Sequence, residues 1–586
     1  MRSALFLVLA TFLSVISTTT QAARIANIQN RDQVPAGPNI NADIGASQPW
    51  NDPSEFILGK NNFTISSTPT TRYYDWIISR QNIAPDGLMR PMLLVNGMFP
   101  GPLVEANTGD RIVVKVTNHL TVGTALHWHG MFQNGTNWMD GTTGITQCPI
   151  PAGGSFTYNF TVPTQWGTYW WHAHAGSQYV DGIVGPLIIH SPNEPHLEEY
   201  DEDVIVMMSD FYHTTTAPLL SYYLSEESDG TEPTPDNGLI NGRNSFNCSN
   251  DALANFPTNT TNCVSNSPQS VFNFDAGKRY RLRLINTGAF AEFQFSIDQH
   301  NLTVIEADGT DLQPAQVQRI PIHIGQRYSA IVTANQAVDN YWVRAVMNTY
   351  CVGDNAALNL TTTAMVHYNG AATVDPQAPV SDSQDWGQPQ YIGRCLDLSA
   401  DMLKPWVAQD APPADVTYVL NMSFQKLTKK HVSLGYVNST SWVPLKNAAT
   451  LNQAKRGVTN FAASQFVISM NQTQTIELII NNYDEGSHPF HLHGHQFWVV
   501  GGGQGSYLPG KSPLNTTNPV RRDTATLQTF GYTILRFVND NPGMWAFHCH
   551  IDWHMQAGLL VQFLSHPEIV KTFKIPEDVK ALCGAA

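Results

Sequence analysis

Positive charge is scarce in this chain. Lys and Arg number 32 in 586 residues against 47 Asp and Glu, and the net charge is -15. Nucleic acid and anionic lipid both need clustered cations, so neither is an expected partner, while neutral or cationic small molecules are tolerated. Long apolar runs are also missing. After residue 22 nothing approaches the roughly 20 apolar residues that span a bilayer, and Gly558–Leu564 is far too short, so no membrane anchor is expected. No amphipathic helix longer than a few turns can be read. Cysteine is rare and odd in number, at seven, so at least one thiol has no partner within the chain.

What is present reads as β-structure. Runs such as Arg111-Ile112-Val113-Val114-Lys115-Val116 and Thr157-Tyr158-Asn159-Phe160-Thr161-Val162 are rich in β-branched and aromatic residues and are separated by Gly, Pro and Asn turns, the pattern of all-β sandwiches. At about 100–200 residues per domain the length predicts three or so. Residues 1–22 carry Arg2, an apolar run and a small-residue end, the layout of a secretory signal peptide, which implies a secreted protein in the extracellular space or cell wall. Residues 23–70 read as an N-terminal extension, 71–195 as the first domain, 196–375 as the second, 376–415 as a linker and 416–586 as the third. About eleven Asn-x-Ser/Thr sequons, among them Asn62, Asn134, Asn159, Asn301, Asn421 and Asn515, fit a glycosylated surface. If Cys549 is the unpaired cysteine, the other six allow 15 pairings. Cys248 with Cys263 brackets a loop, Cys351 with Cys395 flanks an irregular region, and Cys148 with Cys583 remains, tying the first domain to the tail. A monomer is expected.

Phe547-His548-Cys549-His550-Ile551-Asp552-Trp553-His554 sets three histidines and a cysteine within eight residues. On an extended chain His548 and His550 share one face while Cys549 points to the other, so one strand can serve two metal sites. Cys549, His554 a turn later and one more histidine would make the two-His, one-Cys arrangement of a blue copper centre. The flanking histidines would serve a second centre behind it. Twenty histidines should give roughly 0.7 His-x-His spacings by chance, and the chain has five. His127-Trp128-His129 and His172-Ala173-His174 lie in the first domain, and His488-Pro489-Phe490-His491-Leu492-His493-Gly494-His495 lies in the third. Imidazoles two apart on a strand stand about 6–7 Å apart, which suits two neighbouring metals better than one. His488 can complete the cysteine site and His491 with His493 the cluster, leaving His495 as a ligand or a neighbour of one. Such a cluster must form between the first and third domains. In the second domain His213, His300 and His323 are isolated and read as structural.

These motifs resemble those of the multicopper oxidases, and more closely the fungal laccases with their ferroxidase and ascorbate-oxidase-like relatives, from about residue 70 to 583. The resemblance implies three consecutive cupredoxin-like Greek-key β-sandwich domains and four copper ions: one type 1, one type 2 and two type 3. It implies type 1 copper on His488, Cys549 and His554, and type 2 copper on His127 and His491. His129, His172 and His550 would hold one type 3 copper, and His174, His493 and His548 the other. One-electron oxidation of phenols or aromatic amines would then be coupled to four-electron reduction of O2. Asp140 and Asp552 match acids that the family places beside the cluster, where carboxylates relay protons. Leu559 stands where relatives with a fourth type 1 ligand place methionine, with Met555 as a competing axial candidate. Asp484 resembles an aspartate in the iron path of fungal ferroxidases, but Thr214 and Asn348 stand where those enzymes carry further acids. The acid with which laccases grip the phenol hydroxyl aligns with Phe290, and Glu292 is the expected substitute. Ferroxidase or ascorbate-oxidase-like activity is the alternative within the family. A non-enzymatic cupredoxin-repeat protein is the alternative outside it, although every ligand position here is filled.

Overall fold

The computed structural model describes residues 51–59, 63–249, 263–353, 355, 358–372, 395–426 and 432–584. The signal peptide, most of the N-terminal extension, the Asn62 sequon and the linker up to residue 394 lie outside the described residues. The described strands form three successive pairs of sheets, of four and four, six and five, and six and five strands. Each pair is a sandwich, and the expected all-β architecture of three cupredoxin-like domains is what the chain adopts. Among the described residues the longest helix is Thr216–Tyr223, and no helix is long and apolar enough to cross a membrane.

Alternation explains the outer strands. In Arg111–Asn118 the side chains of Ile112, Val114 and Val116 are buried while Arg111 and Lys115 are exposed, as expected of a strand with one face on the core. The strands that carry the histidines behave differently. Leu126–His129, Gly167–Ala173, His488–Leu492 and Gly543–Cys549 are buried at every position, because one face closes a sandwich and the other meets the neighbouring domain. Trp128 and Trp171 take the sandwich face, where Trp76 lies 4.4 Å from the Trp171 ring. Burying rings of this size contributes on the order of 4 kcal/mol each as an upper bound.

The first and third domains are held together locally. The side-chain amide of Asn137 donates to Met544 O and accepts from Met544 N, both at 3.0 Å, and Asn541 donates to Phe132 O at 2.7 Å. A disulfide joins Cys148 to Cys583 across the same boundary, and two others join Cys248 to Cys263 and Cys351 to Cys395. Gly141 has φ +85°, and a Cβ there would lie 1.6 Å from Leu126 O, so only glycine lets the Asp140 turn press against the strand that carries His127 and His129.

Candidate metal centre

Strand register does most of the assembly. In the first domain His127 pairs with His172 across adjacent strands, and in the third His491 pairs with His548. These two pairs face each other at the domain boundary. The His127 ring stacks 4.0 Å from His493, and His129 stacks 3.7 Å from His491. His174 stands 5.3 Å from both His493 and His548, and His172 stands 5.4 Å from His550. The structure thus gathers His127, His129, His172, His174, His491, His493, His548 and His550 into one buried cluster.

The outer nitrogen of most of these rings is already committed. Nδ1 of His127 donates to Asp140 O at 2.8 Å, His172 to Ala173 O at 3.0 Å, His491 to Asp523 O at 3.0 Å and His548 to Cys549 O at 2.9 Å. His493 Nδ1 reaches Asp140 Oδ2 at 2.9 Å. These bonds fix the tautomer and turn the Nε2 lone pair inward. His129 is reversed: its Nε2 faces Asp523 Oδ1 at 3.3 Å and its Nδ1 turns inward. Nε2 of His127, His172, His174 and His491 is buried with no hydrogen-bond partner. His129 Nδ1 stands 3.2 Å from His550 Nε2, and His493 Nε2 stands 3.1 Å from His548 Nε2. Two nitrogens at metal–imidazole bond lengths of about 2.0–2.1 Å from one ion are separated by about that much. The donor set therefore fits copper. Burial first, and then neighbouring imidazoles, hold His172, His174, His548 and His550 well below the usual histidine range, so they stay neutral as metal ligands must.

Two buried acids brace the cluster. Burial opposes ionisation of Asp140, but His493 and His127 outweigh it and hold its carboxyl well below the usual range. Asp523 plays the matching part for His129 and His491. Burial opposes its charge too, and Arg327, bonded to both oxygens at 2.7 and 2.6 Å, keeps it ionised. Sequence reasoning missed Asp523, whose only local signal is an acid after Arg521-Arg522. Asp552 lies two residues after His550, at the start of the helix Asp552–Gln556, and burial pushes its pKa up to about 7. His495 joins neither site. Its Nδ1 donates to His493 O at 3.1 Å and its ring packs 5.7 Å from Trp545.

On the other face of the same strand Cys549 Sγ lies 3.7 Å from Nδ1 of both His488 and His554, which are 3.0 Å from each other. Cys549 is the one free thiol among the described cysteines, and it is buried. Leu559 is buried beside this group. Its carbonyl accepts from Cys549 N at 3.1 Å, and a Cβ on Gly435 would fall 2.5 Å from its Cγ. Met555, on the short helix, is packed against the apolar cluster built mostly by the first domain, not the one that holds Leu559. Phe424 lies 4.8 Å and Phe290 6.2 Å from the His554 ring. Phe290 is held there because Asp210 accepts from the backbone N–H of Ala289, Phe290 and Ala291.

The outer edges of this site are carboxylate-lined. His554 Nε2 meets Glu232 Oε1 at 3.1 Å, and His488 Nε2 meets Asp484 Oδ2 at 3.1 Å. Both acids reach solvent, with side chains 29% and 23% exposed. Burial raises the pKa of Asp484, but its bonds from His488 and Gly486 N–H hold it at about 2. Glu232, and not the expected Glu292, stands at this edge. Glu292 is fully enclosed between Asn348, Gln294 and His323, with no solvent-facing edge, and burial holds its carboxyl well above the usual range. Thr214 carries no acid, but Glu232 reaches the copper-ligand edge from a loop 18 residues later, one acid in the run Glu226-Glu227-Ser228-Asp229-Gly230-Thr231-Glu232. His213 and His300 pair with Asp86 and Tyr368, away from the cluster.

Three family models, each described as multicopper oxidase, match residues 77–194, 202–371 and 431–568. Laccase-2 of Cryptococcus neoformans var. grubii is 34% identical over 96% of this chain and 95% of its own. The crystal structure of the laccase from Botrytis aclada superposes with a TM-score of 0.79 at 34% identity, covering 89% of this chain and 92% of that one. Fet3p, a multicopper oxidase that functions in iron import, gives 0.78 at 27% identity, over 88% and 94%.

Proposed function

The chain belongs to the multicopper oxidase family and is a laccase-type member with four coppers; from that premise we propose how its residues divide the work. Phenols and aromatic amines give single electrons at the Cys549 centre, and the eight-histidine cluster receives four of them to convert O2 to two waters. The type 1 copper falls to His488, Cys549 and His554. The type 2 copper falls to His127 and His491, one type 3 copper to His129, His172 and His550, and the other to His174, His493 and His548. The observation that carries this is one strand with a triad of one cysteine and two histidines on one face and inward-turned imidazoles on the other.

Copper supplies the one-electron chemistry. The protein supplies the rest. Glu232, partly exposed at the His554 edge, accepts the phenol O–H and takes its proton as the electron leaves, while Phe290 and Phe424 wall the ring. From Cys549 the electron crosses to the adjacent residue, His548, along the backbone and across the His548 Nδ1 bond to Cys549 O. Asp552, with its pKa near neutrality, can pass protons inward. Leu559 offers no lone pair, which leaves oxidised copper less stabilised and favours a high reduction potential. The protein works outside the cell, a reading supported by three disulfides and by the laccase relatives.

The second carboxylate, Asp484, favours one further reading, a metal ion as the reductant. Comparing kcat/KM for a dimethoxyphenol and for Fe(II) in one buffer separates them. Preference for the phenol is expected, and preference for iron would reject the phenol reading.

A further inference from the structure

We propose that Tyr212 is a positioning residue for substrate oxidation: its hydroxyl clamps the loop that carries Glu232 to the segment that carries His554. The inference rests on the reading of Glu232 as the substrate's proton acceptor. Two hydrogen bonds meet at that oxygen. Trp553, the residue before His554, donates its indole N–H to it at 3.2 Å, and the hydroxyl donates to the carbonyl of Pro233, the residue after Glu232, also at 3.2 Å. The 3.1 Å contact of His554 with Glu232 closes the ring. One buried oxygen thus ties the neighbours of both residues that meet the substrate.

The base of the clamp is rigid. Tyr212 is 1% exposed, and its ring stands edge-on to Trp553 at 5.5 Å. Its backbone carbonyl accepts from Arg90, whose guanidinium also pairs with Asp181. Asp181 in turn holds Thr216, the first residue of the helix Thr216–Tyr223, by a 2.7 Å bond from its hydroxyl. The loop that presents Glu232 has no regular structure between Ser228 and Asn237. Its ends are tied by Thr231 N to Ser228 O at 3.0 Å and by Asp236 N to Phe211 O at 2.9 Å, and between them Pro233 is held by Tyr212. A buried tyrosine with a satisfied hydroxyl is ordinarily packing alone. Here its two partners belong to different domains and flank the two groups whose separation sets proton transfer, where a misplacement of an ångström is costly.

The test uses copper-loaded enzyme as wild type, Tyr212→Phe, Glu232→Gln and the double variant. The donors are a dimethoxyphenol, which must lose a proton, and ferrocyanide, which gives an electron and no proton. Tyr212→Phe is expected to lower kcat/KM for the phenol by about tenfold, mostly through kcat, the upper end of what one lost hydrogen bond between neutral groups accounts for. Ferrocyanide turnover, the blue absorption and the type 1 reduction potential are expected to stay unchanged. In the Glu232→Gln background Tyr212→Phe should cost nothing further, because both act through one carboxylate. Equal losses on both donors, or additive losses on the phenol, would reduce Tyr212 to a packing residue and overturn the proposal. An impaired Glu232→Gln beside an unimpaired Tyr212→Phe would also overturn it. If Glu232→Gln itself leaves the phenol unaffected, the reading of Glu232 falls and the inference falls with it. Should Tyr212→Phe not accumulate, Trp553→Phe cuts the other bond, and the same phenol-selective loss is required of it.

Discussion

The two faces of Gly543–Cys549 carry metal sites built from the same side chain, and they differ in what lies behind the imidazoles. On the cluster face the outer nitrogens meet backbone carbonyls or the buried acids Asp140 and Asp523. On the cysteine face they meet Glu232 and Asp484, both partly in solvent. The first arrangement fixes the rings in a buried space. The second leaves an edge that a donor can touch and a base that can take its proton. Together with the cysteine ligand, the partner of the distal nitrogen separates the cysteine face from the cluster face.

Cutting the link between the faces should have the largest effect. Cys549→Ser is expected to abolish the blue absorption and all oxidase activity while the other three coppers remain, as copper counting and visible spectra would show. A serine variant that stays blue would put the type 1 copper elsewhere.

The closed face should also depend on its scaffold. Glu306 of the middle domain accepts from Thr168 N at 2.6 Å, at the start of the strand that carries His172, and pairs with Arg281 at 2.7 Å. Burial opposes its charge, but Arg281 and Arg283 prevail and lower its pKa to about 2. A depressed carboxylate stabilises the fold fully above its unfolded pKa near 4.5 and loses that contribution as pH falls through about 2. Glu306→Gln should therefore cost about 3 kcal/mol near pH 6, and the gap in Tm from wild type should shrink between pH 4.5 and pH 2. A gap that does not change with pH would contradict this.

The smallest effect is expected at the open face. Leu559→Met should lower the type 1 potential by the order of 60 mV, one tenfold step for a one-electron couple, and slow the least reducing phenols with copper content unchanged. Redox titration at the blue band measures it, and an unchanged or raised potential would place the axial residue elsewhere.

How much of this could be read in the sequence followed chain distance. The two groups of gathered side chains were legible because strand alternation makes His-x-His and His-Cys-His self-explanatory within a few residues, and the sandwich pattern is equally local. The bracing groups were not. Glu232 stands 322 residues from His554 and Tyr212 stands 341 from Trp553, so only tertiary packing brings them together. Asp523 is separated by 394 residues from His129. Glu292 misled for the opposite reason: two positions from Phe290 it was close in sequence, yet its side chain is enclosed in the second domain. His495 shared the spacing of a ligand, but Gly494 at φ +70° turns the chain before it.

Electrons taken singly at the Cys549 face are expected to be spent four at a time on the other. Oxygen uptake measured against ferrocyanide oxidised, a donor that gives one electron and couples to nothing, with a peroxide assay in the same vessel, tests this most directly. Four ferrocyanides oxidised per O2 with no hydrogen peroxide is the expected result; two per O2 with peroxide accumulating would contradict it.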